Sequence, residues 1–400
     1  MSIKRALYCV SVMPEHDRES GSKTIFDFIV FLREAGWEVT LIAMNAPDAG
    51  RAGQALGQLG VASYAGMDSL LLGDAHLAGA ERLIAAGQFD LAILSFWHVA
   101  EYYLPAIRRL SPKTRAIVDS MDLHFLRTAR SILRSAPGMR CANRLGSEYA
   151  AEMVRELNVY AAADVVLARS RKEADLINDF VGDPDLAFVA GDYEAFDASA
   201  VRFADRRGIL FVGNFWHPPN VEAAKYLLTE IIPLLDPAVL REHQLYLVGN
   251  GLTDEIVGYA AGIAGVRTVG WVPSILPYLQ RARTSVVPLL HGAGTKRKLI
   301  QALMTGTPSV STPVGIEGLD LKHGEHVLVA NDPASFAEAV VRLLGDEELW
   351  QHLALQGRLH VAAHHSREAI RSQFMEAVTN ALAREPKRWP ESVGNENIRP

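Results

Sequence analysis

The residues best placed to do chemistry fall in one run, His291 to Gly306, which reads HGAGTKRKLIQALMTG. Gly292 and Gly294 let the backbone approach a ligand closely. Lys296, Arg297 and Lys298 add three cations, and the apolar periodicity that follows predicts a helix whose first N–H groups point back toward them. Unpaired N–H groups, a helix dipole and lysines at one mouth favour an anion, above all a phosphate. A flexible loop ahead of a solvated basic turn uses the same residues, so context must decide. Two histidines raise a second question: His98 in SFWHVAEYY and His124 in DSMDLHFLR each follow a strand-like run. An imidazole there can meet reacting groups near neutral pH or serve only structure. Asp122 either orients a neighbour or caps the following helix.

The chain that must position these groups has 400 residues, 49% hydrophobic and 22% charged, a composition that suits two globular domains with sizeable cores. A net charge of −6 argues against a general nucleic-acid binder. Cys9 and Cys141 are the 2 cysteines, too few for a zinc constellation or a disulfide framework, which points to a reducing compartment, the cytoplasm. ALYCVSVM reads as a first buried strand rather than a signal peptide, and no window approaches eighteen uninterrupted apolar residues, so any membrane contact is expected to be peripheral.

Strand-like runs alternate with helical patterns: ALYCVSVM, TIFDFIVFLREAG, EVTLIA, then FDLAILSF, YYLPAIRRL and RAIVDS. That alternation marks parallel α/β sheets. It resumes with DVVLARS, RKEADLINDFV and LAFVAG, breaks at the polar DYEAFDASAVRFADRRG, and restarts with GILFVGN, QLYLVGN, VRTVGWV, TSVVPLL and PSVSTPV. The break, near residues 192–206, is the expected domain boundary. Ligands of such sheets sit at the carboxyl ends of the strands, where FVGN, LVGN, GWVP and PLLHGAG carry their glycines and polar residues. The last segment, REPKRWPESVGNENIRP, reads as a tail.

In order and spacing, FVGNFWHPPNVEAAKYLLTEIIPLL, LVGNG, GWVPSILPYLQRARTSVVPLLHGAGTKRK and ALMTGTPSVSTPVGIEGL resemble the nucleotide-binding half of GT-B glycosyltransferases of the large retaining group-one family. MPEHDRESGSKTIFDFIVFLREAGWEVTLIA is similar to the opening of bacterial polysaccharide-type members. The resemblance implies two Rossmann-like, doubly wound parallel-sheet domains facing across a cleft. Residues 1–200 would form the acceptor side and 201–370 the nucleotide-sugar side; a helix at 371–385 would cross back to the first domain, with a tail at 386–400. It further implies a retaining, metal-independent transferase of hexosyltransferase type. That enzyme would move a sugar from a nucleotide-diphosphate donor to a saccharide or lipid-linked acceptor in surface polysaccharide or glycoconjugate synthesis, with no cofactor beyond the donor.

Residue by residue, the resemblance assigns Lys296 and Lys298 to the leaving diphosphate; Arg297, between them, is expected to point elsewhere on the helix and reads as surface charge. The loop after FVG, where many relatives carry arginine and lysine, holds Gly213, Asn214, His217 and Asn220 instead; Asn220 is either a phosphate or sugar contact or a helix N-cap. The family's pair of glutamates falls on Ala293 and Gln301, so Gln301 would meet the ribose as a neutral amide. Sugar recognition would then rest on His291, the Gly294 and Thr295 backbone, Glu317 and Gly318. Val248, Gly249, Trp271 and Val272 mark the base site, with core packing the other reading of Trp271. Gly21 and Ser22 are expected in the loop after the first strand, close to the donor phosphate. His124 is a catalytic candidate, and His98, Asp122 and Arg127 are acceptor-side candidates. Arg127, Arg130 and Arg134 recur at helical spacing, followed by Arg140 and Arg144, and could form a face for anionic lipid headgroups. A non-catalytic nucleotide-sugar binder is the rival reading, motivated by Ala293 and Gln301. An oxidoreductase is disfavoured because no GxGxxG follows the first strand.

Overall fold

Runs that are apolar at nearly every position, such as LAILS and VVLA, suit strands covered on both faces, and both are fully buried here. The structure, a computed structural model, describes residues 3–16, 20–45, 50–66, 74–134 and 145–388. The chain divides into two units, one of Met1–Ala190 with Arg371–Pro400 and one of Gly191–Ile370.

In chain order the first unit contains β1 (Arg5–Val12), α1 (Ser20–Glu34), β2 (Glu38–Asn45), α2 (Gly50–Gln58), β3 (Ala62–Ala65), α3 (Asp74–Gly87) and β4 (Leu91–Ser95). It continues with α4 (Trp97–Leu110), β5 (Arg115–Asp119), α5 (His124–Arg134), α6 (Ser147–Ala162), β6 (Val165–Ala168), α7 (Arg171–Val181) and β7 (Ala187–Val189). All pairings are parallel, in the order β3-β2-β1-β4-β5-β6-β7, so the topology reverses between β1 and β4. Two ion pairs are buried beneath this sheet's ends, Arg108 with Asp164 at 2.9 Å and Arg169 with Asp119 at 2.6 Å. The Asp164 carboxylate also accepts from the backbone N–H groups of Ala116 and Lys387, each at 2.6 Å, so buried charge is spread over several donors.

The second unit holds β8 (Ile209–Val212), α8 (Pro218–Tyr226), α9 (Pro237–Glu242), β9 (Leu245–Val248), α10 (Asp254–Ala261), β10 (Val266–Gly270) and α11 (Leu276–Arg281). After them come β11 (Thr284–Val287), α12 (Arg297–Met304), β12 (Ser309–Ser311), β13 (Leu328–Val329), α13 (Pro333–Gly345) and α14 (Glu347–His364). The sheet is again all parallel, ordered β10-β9-β8-β11-β12-β13, with its reversal between β8 and β11. The doubly wound pattern expected from the alternation is therefore present twice. α15 (Arg367–Ala383) passes into the first unit, where Phe374 stacks on Phe28 with ring centroids 4.3 Å apart.

The polar stretch after Ala190 is irregular but well anchored in the second unit. Ser199 donates its N–H to Thr305, and the fully buried Arg206 donates to the Leu279 and Ala282 carbonyls at the end of α11 and to Thr307. Helix ends carry partial negative charge, which is why a guanidinium can sit there; burial nevertheless pushes Arg206 down to about 10. No helix of the described residues is long and apolar enough to cross a membrane. Cys141, Arg140, Arg144, the Arg134 side chain and residues 389–400 lie outside the described residues.

Candidate functional site

In a doubly wound sheet the loops at the reversal part in opposite directions and leave a crevice at the strand ends. In the second unit those loops follow β8 and β11, and the one after β11 is the run that opens with His291. Backbone hydrogen bonds tie the neighbouring strand ends together: Gly213 donates to Val248 at 3.0 Å, and Gly249 to Gly270 at 2.8 Å. Gly249 has φ of +140°, and a Cβ there would stand 1.7 Å from the Gly213 carbonyl oxygen. No residue but glycine fits.

The loop Gly292–Thr295 turns with φ of +146° at Gly292 and +67° at Gly294. Lys296 is buried and folds back onto its own loop, donating to the carbonyls of Ala293, at 3.3 Å, and Gly294. Lys298 projects one position into α12, beneath β8, where its ammonium donates to the Asn220 amide oxygen at 2.5 Å and lies 4.9 Å from the Phe211 ring centre. Its side chain keeps some exposed surface, but the ammonium end is enclosed. Burial first, and then the charge of Lys296, push it down to about 7.

One expectation for this region, Arg297, is corrected, and one alternative is closed for each of Asn220 and Trp271. Asn220 is not a helix cap: α8 is entered at His217, and Asn220 sits inside the helix, donating to the Asn214 carbonyl at 2.7 Å while accepting from Lys298. Arg297 is not surface charge; it is 9% exposed and pairs with the buried Glu194, Nε to Oε1, at 2.5 Å. Trp271 is not core, being 64% exposed beyond the end of β10.

The other residues of the second unit fall as follows. Val248 is fully buried at the end of β9, and Val272 is half-buried beside Trp271. Asn214 accepts from the Trp216 N–H at 3.1 Å. His291 is 5% exposed with Nε2 3.0 Å from Glu222, yet neither ring nitrogen makes a hydrogen bond. Thr295 donates to Asp192 at 2.9 Å, and Gln301 donates to Glu194, also at 2.9 Å. Glu317 and Gly318 follow β12, in the turn beside the β11 loop. Gly213, Asn214, Gly249 and the 291–298 loop thus gather at the ends of adjacent strands. Asp192 and Glu194 were not expected there: they lie 103 residues or more from their partners, and no spacing rule reaches that far.

In the first unit the reversal lies between β1 and β4. Gly21 and Ser22 are in the opening turn of α1, not in a loop; the buried face of that helix starts at Ser22 and runs through Thr24, Ile25, Phe28 and Ile29. A Cβ on Gly21 would approach the Met121 methyl at 3.1 Å. His98, at the start of α4, is held below the usual histidine range by burial and by the nearby His124. His124 has both ring nitrogens engaged: Trp97 Nε1 donates to Nδ1 at 3.1 Å, and Nε2 faces Asp122 at 3.1 Å. The Trp97 donor fixes the neutral tautomer as Nε2–H, which donates to Asp122. Burial opposes ionisation of Asp122, but the hydrogen bond from His124 and the Arg127 guanidinium prevail and hold its carboxyl below the usual range.

Asp122 is therefore an orienting group and not the cap of α5. That cap comes from α6: Glu156, 1% exposed, accepts from the N–H groups of His124 at 2.9 Å and Phe125 at 2.7 Å, and from Tyr160 at 2.7 Å. Burial raises its carboxyl. Arg127 is committed to Asp122, which takes one member from the face of arginines read along α5.

Residues 206–346 match the family described as "Glycosyl transferases group 1". An uncharacterized 44.6 kDa protein in the cps region of Klebsiella pneumoniae is 29% identical over 144 residues, 33% of this chain and 36% of that protein. The lipopolysaccharide core biosynthesis glycosyltransferase LpsE of Rhizobium meliloti is 27% identical over 142 residues, 34% of this chain and 42% of that protein. The likeness thus spans well under half the length of these curated relatives. Among solved structures, Anabaena Alr3699/HepE in complex with UDP and glucose superposes with a TM-score of 0.70 at 13% identity, covering 94% of this chain and 99% of that one. Residues 206–346 thus match the group 1 glycosyltransferase family, within a chain that has the two-domain fold of the GT-B glycosyltransferases.

Proposed function

We propose that this protein transfers a sugar from a nucleotide-diphosphate donor to a saccharide or lipid-linked acceptor, with the diphosphate held by the 292–298 loop and Lys298. One observation carries the reading. Lys298 is an enclosed cation whose hydrogen-bond partner is a neutral amide, and no carboxylate is bonded to it among the described residues. A lysine so placed, beside the backbone of a glycine loop and the second ammonium of Lys296, gains most when an anion arrives. When the glycosidic bond to the donor breaks, negative charge grows on the leaving diphosphate, and cations fixed in advance stabilise it without reorganising.

On this reading the transfer retains anomeric configuration, needs no cofactor or metal besides the donor, and serves surface polysaccharide or glycoconjugate synthesis at the cytoplasmic side of a membrane. The lipopolysaccharide core biosynthesis role of the Rhizobium relative and the UDP in the Anabaena complex support that direction. His124, held as a single tautomer between Trp97 and Asp122, and the neighbouring His98 are the first unit's candidates for acceptor contact. The test is a thermal-shift screen of nucleotide sugars followed by transfer and hydrolysis assays with the donors that bind. Turnover supports the enzyme; tight binding with no turnover on any acceptor or water leaves a nucleotide-sugar binding protein.

A further inference from the structure

Arg297 and Gln301 are four apart in sequence and share one face of α12, and both reach the same oxygen. Arg297 Nε lies 2.5 Å and Gln301 Nε2 2.9 Å from Glu194 Oε1, while Arg297 Nη2 donates to the Tyr193 carbonyl at 3.0 Å. Glu194 is 4% exposed, and with its arginine partner it is a buried carboxylate that only accepts. An amide facing it must therefore present its NH2 group, since the flipped form would set oxygen against oxygen. The Gln301 amide oxygen is left over. It has no hydrogen-bond partner among the described residues, and the side chain retains exposed surface.

We infer that Glu194 is a positioning residue that locks the Gln301 amide so that its oxygen, and never its NH2 group, accepts hydrogen bonds from the ribose hydroxyls of the nucleoside diphosphate. This rests on the donor reading proposed above. Gln301 then does with a neutral group what a carboxylate does for a vicinal diol, and the negative charge sits one shell back, where Arg297 balances it. A glutamate at 301 beside Glu194 would bring two carboxylates together; the glutamine avoids that repulsion.

Calorimetric titration tests this with UDP, GDP, ADP and CDP, the 2′,3′-dideoxy form of whichever binds, and inorganic pyrophosphate. The wild-type protein is expected to favour the ribonucleotide over its dideoxy form by about five- to tenfold, the worth of one or two hydrogen bonds. Glu194→Leu removes the acceptor, frees the Gln301 amide to turn, and should erase that preference while leaving pyrophosphate affinity unchanged. Glu194→Gln keeps an acceptor oxygen that Arg297 holds toward itself and Gln301, so it should keep the preference; a role for the Glu194 charge alone would lose it. Should Glu194→Leu fail to fold, Gln301→Leu and Glu194→Gln decide, the first losing the preference and the second keeping it. A preference that survives Glu194→Leu or Gln301→Leu, or that is lost in Glu194→Gln, overturns the inference, as does a wild-type protein that binds nucleotides without regard to ribose. Wild-type protein that binds neither nucleotide nor pyrophosphate overturns the donor reading as well.

Discussion

The Lys298 ammonium and the Asn220 amide oxygen lie 2.5 Å apart, joining the helix that follows β8 to the helix that follows β11 across the reversal of the second sheet. Neither partner carries negative charge. The lysine is oriented by this contact without being neutralised.

Removing that charge should separate binding from folding. Lys298→Met keeps the stem's packing and relieves an enclosed ammonium, so thermal stability without ligand should not fall. Diphosphate affinity should drop about 100-fold, the scale of one or two charge-assisted hydrogen bonds. A thermal-shift titration with UDP and pyrophosphate reads both, and an unchanged ligand shift would remove the assignment.

The pH dependence has a definite sign. Lys298 titrates at about 7 in the folded protein against 10.5 ordinarily, so between those values the unfolded chain holds a proton the folded one has released. This group's contribution to stability therefore rises with pH across that window and is flat below it. Ligand binding runs the other way. A diphosphate favours the ammonium, so its affinity should weaken by up to about tenfold per pH unit above 7, with proton uptake on binding. Calorimetry at pH 8 in two buffers of different ionisation enthalpy measures the uptake, which should vanish in Lys298→Met.

Arg297 is expected to matter for stability more than its exposed-looking sequence context implies. Arg297→Gln strands a buried Glu194 carboxylate, and breaking such a pair from one side costs about 3–5 kcal/mol. Urea denaturation of the variant gives the figure; a loss below about 1 kcal/mol would mean that the pair is solvated.

In the first unit, Glu156→Ala leaves the His124 and Phe125 N–H groups without their acceptor and should cost about 1–3 kcal/mol. Glu156→Gln keeps one acceptor oxygen and should cost less. Because the cap holds the start of α5, the alanine variant should also disturb the His124 ring resonances seen by NMR, whereas equal effects of the two variants would argue against the cap.

Much of this protein can be read along the chain. Apolar strand runs alternating with 3.6-period segments specify two parallel sheets, because strand and helix each bury one pattern and their order leaves no shorter connection. Glycines and lysines in HGAGTKRK mark a candidate anion loop through local backbone freedom and local charge, with a solvated basic turn as the other reading. What tertiary structure alone decided is which groups neutralise or orient them. Asn220 read equally as a ligand contact or a cap and holds Lys298; Asp122 read as an orienting group or a cap and holds His124, while Glu156 caps from 32 residues away. Arg297 looked solvated and is buried against Glu194. Capping and pairing are contests among every acceptor within reach of a donor, and sequence shows only the neighbours on the same segment. The distant competitor wins here because burial makes its hydrogen bonds obligatory.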